Sequence, residues 1–437
     1  MTHKHKDGGH VLHVGTLARV EGEGAMHIAY RDGEVTDVQL RIYEPPRFYE
    51  AFLRGRAHTE PPDITARICG ICPVAYQMSS CWAIEDACGV SVTDEIRALR
   101  RLLYCGEWIE SHALHVYLLH APDFLGYDGA VDMAADHPAV VERGLRLKKA
   151  GNRLMEVVGG RSVHPVNVRV GGFYRMPSVE ELSAIRPDLE RALEDSLETV
   201  RLVAGFEFPD FEQPYEYLAL RPESGYPIEE GRVVTTSGAG FPVRDFATRI
   251  EEVHVPHSNA LHARLDGGAR GLYSVGPLAR YTLNSDRLSP LARRAAADAG
   301  LGEGCRNPFR SIVVRAVELV EACHEALRII DGWTGTGAAS VPVPARAGEG
   351  YGASEAPRGV LFHRYVLDGA GIIQDAQIVP PTSQNQPSIE ADLRAMVGAW
   401  ADLDEHALQH RCEHAIRNYD PCISCATHFL DLTVERT

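Results

Sequence analysis

The chain has 437 residues, more than one hydrophobic core usually spans, so two lobes or one large domain with excursions are expected. Hydrophobic residues make up 45% of it, an ordinary share for a globular protein, which excludes extensive disorder. The formal charge of −16, with no basic block, argues against a nucleic-acid-binding surface.

The N-terminal segment, residues 1–13, is polar and rich in histidine. It lacks the apolar stretch that secretory signal peptides carry. No uninterrupted apolar run in the sequence approaches the ~18 residues of a membrane span. We therefore expect a soluble, cytoplasmic protein without a membrane span.

Two elements are predicted in the first third of the chain. Between Val11 and Tyr43, apolar and polar residues alternate around Gly and Asp-Gly turns, which predicts a small β-sheet. From Asp94 onward, apolar residues recur at helical spacing, which predicts one long helix ending near Pro122.

A second long helix is predicted from Ser178 towards Val203, because Ser178 and Glu181 form a capping-box pattern. Pro187 is a candidate interruption of this helix. The fold class expected from the whole pattern is mainly α with small β elements (α+β) and a central helix bundle. The remaining predicted elements are a β-containing insertion at about 206–274, a helix over 312–330, loops and strands over 341–381, and a helix over 388–400.

Four of the ten cysteines form two close pairs, Cys69/Cys72 and Cys422/Cys425, near opposite ends of the chain. Ten cysteines are too sparse for a disulfide scaffold in a chain of this length. A Cys-x-x-Cys turn lets two sulfurs converge on one ion, and thiolates favour zinc, iron–sulfur clusters, nickel or copper(I) over hard cations. Spacing alone leaves a structural zinc site or an iron–sulfur cluster open, because it does not name the metal.

The residues around the two pairs are more specific. Segment 67–72 reads Arg-Ile-Cys-Gly-Ile-Cys and segment 420–428 reads Asp-Pro-Cys-Ile-Ser-Cys-Ala-Thr-His. These paired motifs resemble those of the large subunits of nickel–iron hydrogenases. The resemblance continues through the chain in the right order, at Arg19-Val20-Glu21-Gly22, Glu50, the stretch from His115 to Asp123, His164-Pro165 with Gly171-Gly172, Glu355-Ala356-Pro357-Arg358-Gly359 and Val379-Pro380-Pro381-Thr382.

The resemblance implies a single hydrogenase large-subunit domain over residues 1–437, with a C-terminal metal-binding segment at 420–428. All four thiolates would bind nickel. Cys72 and Cys425 would also bridge to an iron that carries carbon monoxide and cyanide, Fe(CO)(CN)2, while Cys69 and Cys422 stay terminal on nickel.

Further site residues follow from the same resemblance. Four residues would pack around the diatomic ligands of the iron, and a guanidinium suits an anionic cyanide because it keeps its charge and offers fixed donors. These four residues are Pro357, Arg358, Pro381 and Thr382.

A separate magnesium-like ion near the C-terminus would be bound by Glu50 and His428.

The implied reaction is the reversible heterolytic cleavage of dihydrogen. Cys422 would be the first proton acceptor and Glu21 would relay the proton onward. Arg358 would polarise the substrate above the metals, held in place by Asp123 and Asp420 through charge-assisted hydrogen bonds.

Electrons would have to leave through partner subunits. Two Gly-x-Gly occurrences, at 22–24 and 348–350, lack the strand–turn–helix setting of a dinucleotide fingerprint. The implied partners are a small subunit with iron–sulfur clusters and flavin-containing diaphorase subunits that exchange electrons with NADP(H). The implied maturation proteins include a C-terminal endopeptidase. Either it removes the tail 429–437 or the chain belongs to a member of the family that keeps this tail.

One departure from the family pattern refines the family assignment. The family usually carries His four residues after the second cysteine, where this chain has Tyr76, and the surrounding segment looks most like the soluble, cytoplasmic NADP-linked (sulfhydrogenase-type) members. The alternatives are a deazaflavin-reducing or a sensory hydrogenase. The related quinone-site subunit of respiratory complex I lacks the four metal-binding cysteines, and a purely structural zinc protein leaves Glu21, Arg358 and Asp123 unexplained.

Overall fold

The computed structural model describes residues 9–31, 34–266, 271–400 and 403–427. The N-terminal segment forms the predicted small sheet, with three antiparallel strands in the order β1-β2-β3. Its buried face packs on the C-terminal helices α13 and α14. The bounds are Gly9–Val14 for β1, Gly24–Arg31 for β2, Glu34–Ile42 for β3, Pro381–Ala399 for α13 and Glu405–Arg417 for α14.

Long helices form the predicted bundle at the centre of the chain. α4 packs against α7 and α12, and α8 packs against both of those helices. No helix among the described residues is long and apolar enough to cross a membrane. The bundle helices are α4 (Asp94–Leu114), α7 (Pro138–Gly159), α8 (Val179–Ala204) and α12 (Ser311–Asp331), and the shorter helices before α8 are α1 (Tyr49–Leu53), α2 (Pro61–Thr65), α3 (Pro73–Cys88), α5 (Ala121–Leu125) and α6 (Ala130–Asp136).

The long helix predicted from Asp94 is present but changes its winding. After α4 the chain forms one π-helical stretch over His115–His120 and then α5, which ends beyond Pro122. Wider π-type turns inside helices are frequent at functional sites. Here the π-helical stretch contains two buried histidines, His115 and His120.

The second predicted helix, α8, runs without interruption through Pro187. Its N-terminus has the predicted capping box, in which Ser178 and Glu181 satisfy each other's backbone donors. The expected interruption at Pro187 is wrong, because the apolar stripe of α8 buried against α12 outweighs the ~3 kcal/mol that an internal proline costs.

The insertion predicted at about 206–274 contains short strands, as expected. The strands β6, β7 and β8 form one antiparallel sheet, and β9 pairs with β10. The elements from β4 to α11 are β4 (Val168–Arg169), β5 (Gly172–Phe173), β6 (Leu218–Arg221), β7 (Arg232–Thr235), β8 (Gly240–Phe241), α9 (Phe246–Arg249), β9 (Ile250–Val253), β10 (His262–Leu265), α10 (Pro277–Asn284) and α11 (Pro290–Asp298).

The segment predicted as loop and strand over 341–381 is an antiparallel sheet of β11 (Gly348–Ala356), β12 (Gly359–Leu367) and β13 (Ile373–Val379). Helix α3 lies directly on β11. A Cβ atom at Gly350 would lie 2.1 Å from the carbonyl oxygen of Ala83, and one at Gly352 would lie 2.3 Å from that of Ser79. These glycines therefore serve helix–sheet packing, and the first of the two cysteine pairs precedes the helix that they accommodate.

A buried ionic network holds the turn between β11 and β12. Arg280 of α10 donates to Glu318 of α12 at 2.8 Å and to Glu355 of β11 at 3.2 Å, and also to the carbonyl oxygens of Ala356 and Pro357. Burial raises the pKa of Glu318, but the guanidinium and His112 together lower it to about 2. The network fixes the backbone immediately before Arg358.

A second buried carboxyl anchors the segment before the last cysteine pair. Tyr215 and Tyr419 both donate to the same oxygen of Asp392, at 2.5 and 2.7 Å. Burial raises the pKa of Asp392 to about 7, although these two hydrogen bonds lower it in part. Asp392 is on α13, so this contact ties α13 to the approach of the C-terminal cysteines.

We predict that Asp392→Asn removes a pH dependence of stability. The folded chain keeps the Asp392 proton up to about pH 7, whereas an unfolded chain releases it near pH ~4, so the free energy of unfolding falls as the pH rises between these values. Relative to that of the wild type, the free energy of unfolding of the variant should rise by about 3 kcal/mol from pH 5 to pH 8. Denaturant unfolding of both proteins at both pH values measures this. The same difference in the free energy of unfolding between variant and wild type at pH 5 and at pH 8 would contradict the prediction.

Candidate metal centre

The four paired cysteines meet at one point in the core, although about 350 residues separate the two pairs. All four sulfurs lie within 4.8 Å of one another and all four side chains are buried. The Sγ atoms of Cys69 and Cys422 are 3.5 Å apart, as are those of Cys72 and Cys425. No disulfide joins any of the ten cysteines within the described part of the chain.

Local backbone geometry aims each pair inward. The backbone N–H groups of Ile71 and Cys72 donate to Cys69 Sγ at 3.3 and 3.2 Å, which closes the first Cys-x-x-Cys turn around that sulfur. Cys72 then directly precedes α3. In the second pair, Cys422 directly precedes the short helix α15 (Ile423–Ala426), which carries Cys425.

The electrostatics of this quartet favour a bound cation. Hydrogen bonds from the other three thiols lower the pKa of Cys69 well below its ordinary value. Burial, together with the neighbouring thiols, raises the pKa of Cys422 well above its ordinary value. Four buried thiolates repel one another unless a cation neutralises them. The donor set is all sulfur, which suits nickel, iron or zinc and not magnesium or calcium. The residues present therefore fit a thiolate-bound metal centre.

Glu21 lies against this quartet. Its Oε2 is 3.1 Å from Cys422 Sγ and accepts a hydrogen bond from the backbone N–H of Ser424 at 3.0 Å. The backbone N–H of Ile423 also donates to the carbonyl oxygen of Glu21 at 2.9 Å. The sequence-predicted residue is thus held beside the thiolate that it was expected to serve.

Arg358 and Asp420 also meet at the quartet. Arg358 donates through Nε to the Asp420 carbonyl oxygen at 2.8 Å and through Nη2 to its Oδ1 at 3.1 Å. Arg358 Nη1 and Asp420 Oδ2 are buried and have no hydrogen-bond partner among the described residues. Burial lowers the pKa of Arg358, but the negative charges of Asp420 and the thiolates raise it well above its usual range.

Asp123 is placed elsewhere than expected. Its Oδ1 accepts from Arg19 at 2.6 Å and from Arg417 at 2.7 Å, and its Oδ2 accepts from Arg417 at 2.7 Å. The prediction that Asp123 holds Arg358 is therefore wrong. Arg417, three residues before Asp420, binds the carboxylate that was expected to hold Arg358.

The other predicted residues are distributed around the centre. The hydroxyl of Thr382 accepts a hydrogen bond from the backbone N–H of Cys422 at 3.0 Å, and Pro381 begins α13 beside it. Pro357 belongs to the turn held by Arg280. Glu50 accepts a hydrogen bond from the backbone N–H of Ile378 at 2.7 Å. His428 and the tail 429–437 lie outside the described residues.

Sequence reasoning missed Glu107. Its carboxylate accepts from the backbone N–H of Val74 at 2.6 Å and of Ala75 at 3.2 Å, at the start of α3 and next to Cys72. Burial raises its pKa well above the usual range. Glu107 lies on the apolar stripe of the buried helix α4, and an acidic residue at such a position could have indicated its role from the sequence.

Tyr76, which stands where histidine was expected, is fully buried one helical turn after Cys72. Burial raises the pKa of its hydroxyl well above the usual range, and the neighbouring Cys425, Cys72 and Cys422 raise it further. The side chain therefore presents a neutral hydroxyl to the sulfurs, which can donate a hydrogen bond as an imidazole N–H does.

Comparison with known proteins agrees with this geometry. The sequence profile of the nickel-dependent hydrogenases matches residues 47–143 and 311–428, which include both cysteine pairs. Sulfhydrogenase 1 subunit alpha of Pyrococcus furiosus is 34% identical over 425 residues, covering 95% of this chain and 97% of the relative. The beta subunit of the NAD-reducing hydrogenase HoxS of Cupriavidus necator is 26% identical over 474 residues, covering 96% and 95%.

The fold matches as well. A crystal structure of an NAD+-reducing [NiFe]-hydrogenase in the H2-reduced state superposes with a TM-score of 0.87, covering 96% of this chain and 99% of that one at 25% identity. A buried four-thiolate centre on this fold defines a metal-dependent oxidoreductase. The chain belongs to the nickel-dependent hydrogenases, as a large, catalytic subunit of enzymes that act on dihydrogen.

We predict that Thr382→Val destabilises the metal centre, because it leaves the buried backbone N–H of Cys422 without its acceptor. Such an orphaned donor costs about 1–3 kcal/mol. The matched control Thr382→Ser keeps the hydroxyl and should stay close to the wild type. Thermal unfolding of the purified enzyme measures both, and equal midpoints for valine and serine would contradict the role of this hydrogen bond.

Proposed function

We propose that this chain catalyses the reversible heterolytic cleavage of dihydrogen at a nickel–iron centre held by Cys69, Cys72, Cys422 and Cys425. The observation that carries the proposal is the convergence of four buried cysteine sulfurs, with the Glu21 carboxylate 3.1 Å from one of them. Cys72 and Cys425 would bridge nickel and iron, and Cys69 and Cys422 would bind nickel alone. When bound, such a centre supplies the Lewis acidity and redox chemistry that split dihydrogen.

Arg358 would face the iron side of this centre, where the carbon monoxide and cyanide ligands of Fe(CO)(CN)2 belong. Its Nη1 is a buried donor without a partner in the described chain, so it is available to an anionic acceptor. Asp420 fixes the guanidinium plane through two hydrogen bonds. Pro357, Pro381 and Thr382 complete the shell around these ligands.

The proton released by the reaction would leave through the chain's own side chains. Cys422 Sγ takes it first, because a terminal thiolate is a base as well as a ligand. Glu21 Oε2 then accepts it across the 3.1 Å contact. Glu21 is only half-buried, unlike the thiolates, so its position supports transfer outward.

A magnesium-like ion would be bound near the C-terminus by Glu50 and His428. Support comes from the backbone: Thr427, the residue before His428, accepts a hydrogen bond from the backbone N–H of Arg47 at 2.6 Å. Arg47 lies three residues before Glu50. Maturation would end with an endopeptidase that removes the tail 429–437.

Electron transfer would require a small subunit with iron–sulfur clusters docked beside the first cysteine pair. Exposed apolar residues lie in two segments that contact the approach to that loop: Phe52 is 57% exposed, and Val163, next to His164, whose Nδ1 is 2.7 Å from the Ala66 carbonyl oxygen, is also exposed. Tyr49, in edge contact with Phe52, donates to the carbonyl oxygen of Arg67. Large exposed apolar side chains next to a redox centre are typical of an interface core.

Beyond the small subunit, flavin-containing diaphorase subunits would exchange the electrons with NADP(H) in the cytoplasm. The similarity to a subunit of an NAD-reducing hydrogenase supports a nicotinamide acceptor. Relatives named F420-non-reducing hydrogenases, one of them 32% identical over 402 residues in Methanocaldococcus jannaschii, speak against deazaflavin reduction.

We predict that Glu21→Gln abolishes exchange between dihydrogen and solvent protons while nickel and iron stay bound, because the amide keeps the shape of the carboxylate but cannot relay a proton. Isotope exchange by the purified holoenzyme, with metal analysis of the same sample, measures this. Glu23→Gln, on an exposed side chain two residues away, is the matched control and should exchange at the wild-type rate. Wild-type exchange by Glu21→Gln would remove Glu21 from the proton route.

A further inference from the structure

A cluster of two histidines and one aspartate lies where the π-helical stretch after α4 contacts α14. It comprises His120 from the π-helical stretch, Asp123 from α5, and His414 from α14. One ligand atom from each of these three residues lies within 4.8 Å of the other two. We propose that this cluster is a second metal site, which binds a divalent transition-metal ion of the zinc type and clamps α14 to α5.

The spacing of the histidines on α14 supports a chelating face. His406, His410 and His414 are four residues apart, so all three lie on one side of the helix. They line a cleft of about 460 Å³ together with Asp123. The Nε2 atom of His410 is 3.7 Å from Asp123 Oδ1, at the mouth of this cleft. His410 can therefore supply a fourth donor from the solvent side.

Two of the imidazoles are buried without hydrogen-bond partners. His120 is 0% and His414 is 3% exposed. Both ring nitrogens of His120, and Nε2 of His414, have no partner anywhere in the described chain. The two rings contact each other, with centroids 5.1 Å apart. Buried polar nitrogens normally find a partner, so their arrangement around one point indicates an absent ligand rather than packing alone.

The charge state of the cluster suits a metal ion. Burial lowers the pKa of His414 to about 3, and burial also lowers that of His120 well below its usual range. Both rings are therefore neutral at physiological pH and offer lone pairs. A neutral imidazole is a ligand for zinc, nickel or cobalt and a poor one for magnesium or calcium.

Asp123 remains able to contribute to the site. Its Oδ1 already accepts from two guanidinium groups, but its Oδ2 accepts from Arg417 alone, which leaves one lone pair. The carboxylates of Asp128 and Glu207 line the same cleft and offset the nearby guanidinium charges. Three imidazoles with one carboxylate oxygen make a tetrahedral set of the kind that zinc adopts, and with two imidazoles a water would take the fourth position.

The test is zinc binding by the holoenzyme, measured by metal analysis after equilibration with Zn²⁺ and removal of free ion. His414→Gln should bind about one zinc ion less per chain than the wild type. His324→Gln, on α12 outside the cluster, is the matched control and should bind as the wild type does. Co²⁺ should give a tetrahedral visible spectrum that His414→Gln loses, and Mg²⁺ should not compete.

Because His414 is buried, His410→Gln provides a second variant that leaves the core intact. Its zinc affinity should fall by at least about tenfold, since losing even an outer partner of a metal site costs that much. Zinc should also raise the unfolding midpoint of the wild type more than that of either variant, because a ligand bound only to the folded state stabilises it. Equal zinc content, affinity and midpoint shift in the wild type, His414→Gln and His410→Gln would overturn the proposal.

Discussion

The contact between the two ends of the chain is the constraint on which the centre depends. Glu21 pairs in parallel with Cys422, and Ile423 donates to the Glu21 carbonyl oxygen, so the segment after β1 and the last described helix form one local structure. Arg47 adds a side-chain link, because its guanidinium donates both to the Ile68 carbonyl oxygen of the first cysteine loop and to that of Ser424 in the second. Four sulfurs can share one ion only while these links hold.

Two buried arginines of the core, Arg280 and Arg358, help to hold the chain segments that meet in this contact. Arg280 fixes the turn that presents Arg358, and Arg358 in turn holds Asp420, two residues before Cys422. Removing one partner of such a buried pair leaves an uncompensated charge, which is far more costly than losing a surface ion pair. These two buried ionic contacts therefore help to fix the position of the metal ligands.

Sequence reasoning was most successful where one residue type is tied to one chemistry. The two cysteine pairs, Glu21 and the Arg358–Asp420 pair come together as predicted, and the β-element, α8 and α12 have nearly the predicted limits. Helix α3 was missed because it is buried on almost every side and so lacks an amphipathic stripe. Asp123 was misplaced because its role beside Arg358 was inferred from the family resemblance, and the sequence does not show that Arg19 and Arg417 bind its carboxylate.

The nickel, iron and zinc content of the chain, purified with its partners from its own host, tests directly whether the four cysteines hold a nickel–iron centre. We expect about one nickel and one iron per large subunit, after the partners' iron–sulfur clusters are subtracted and after a chelator has removed any zinc from the histidine cluster. Zinc in place of nickel at the four cysteines of fully matured protein would contradict it and would make the quartet a structural thiolate site.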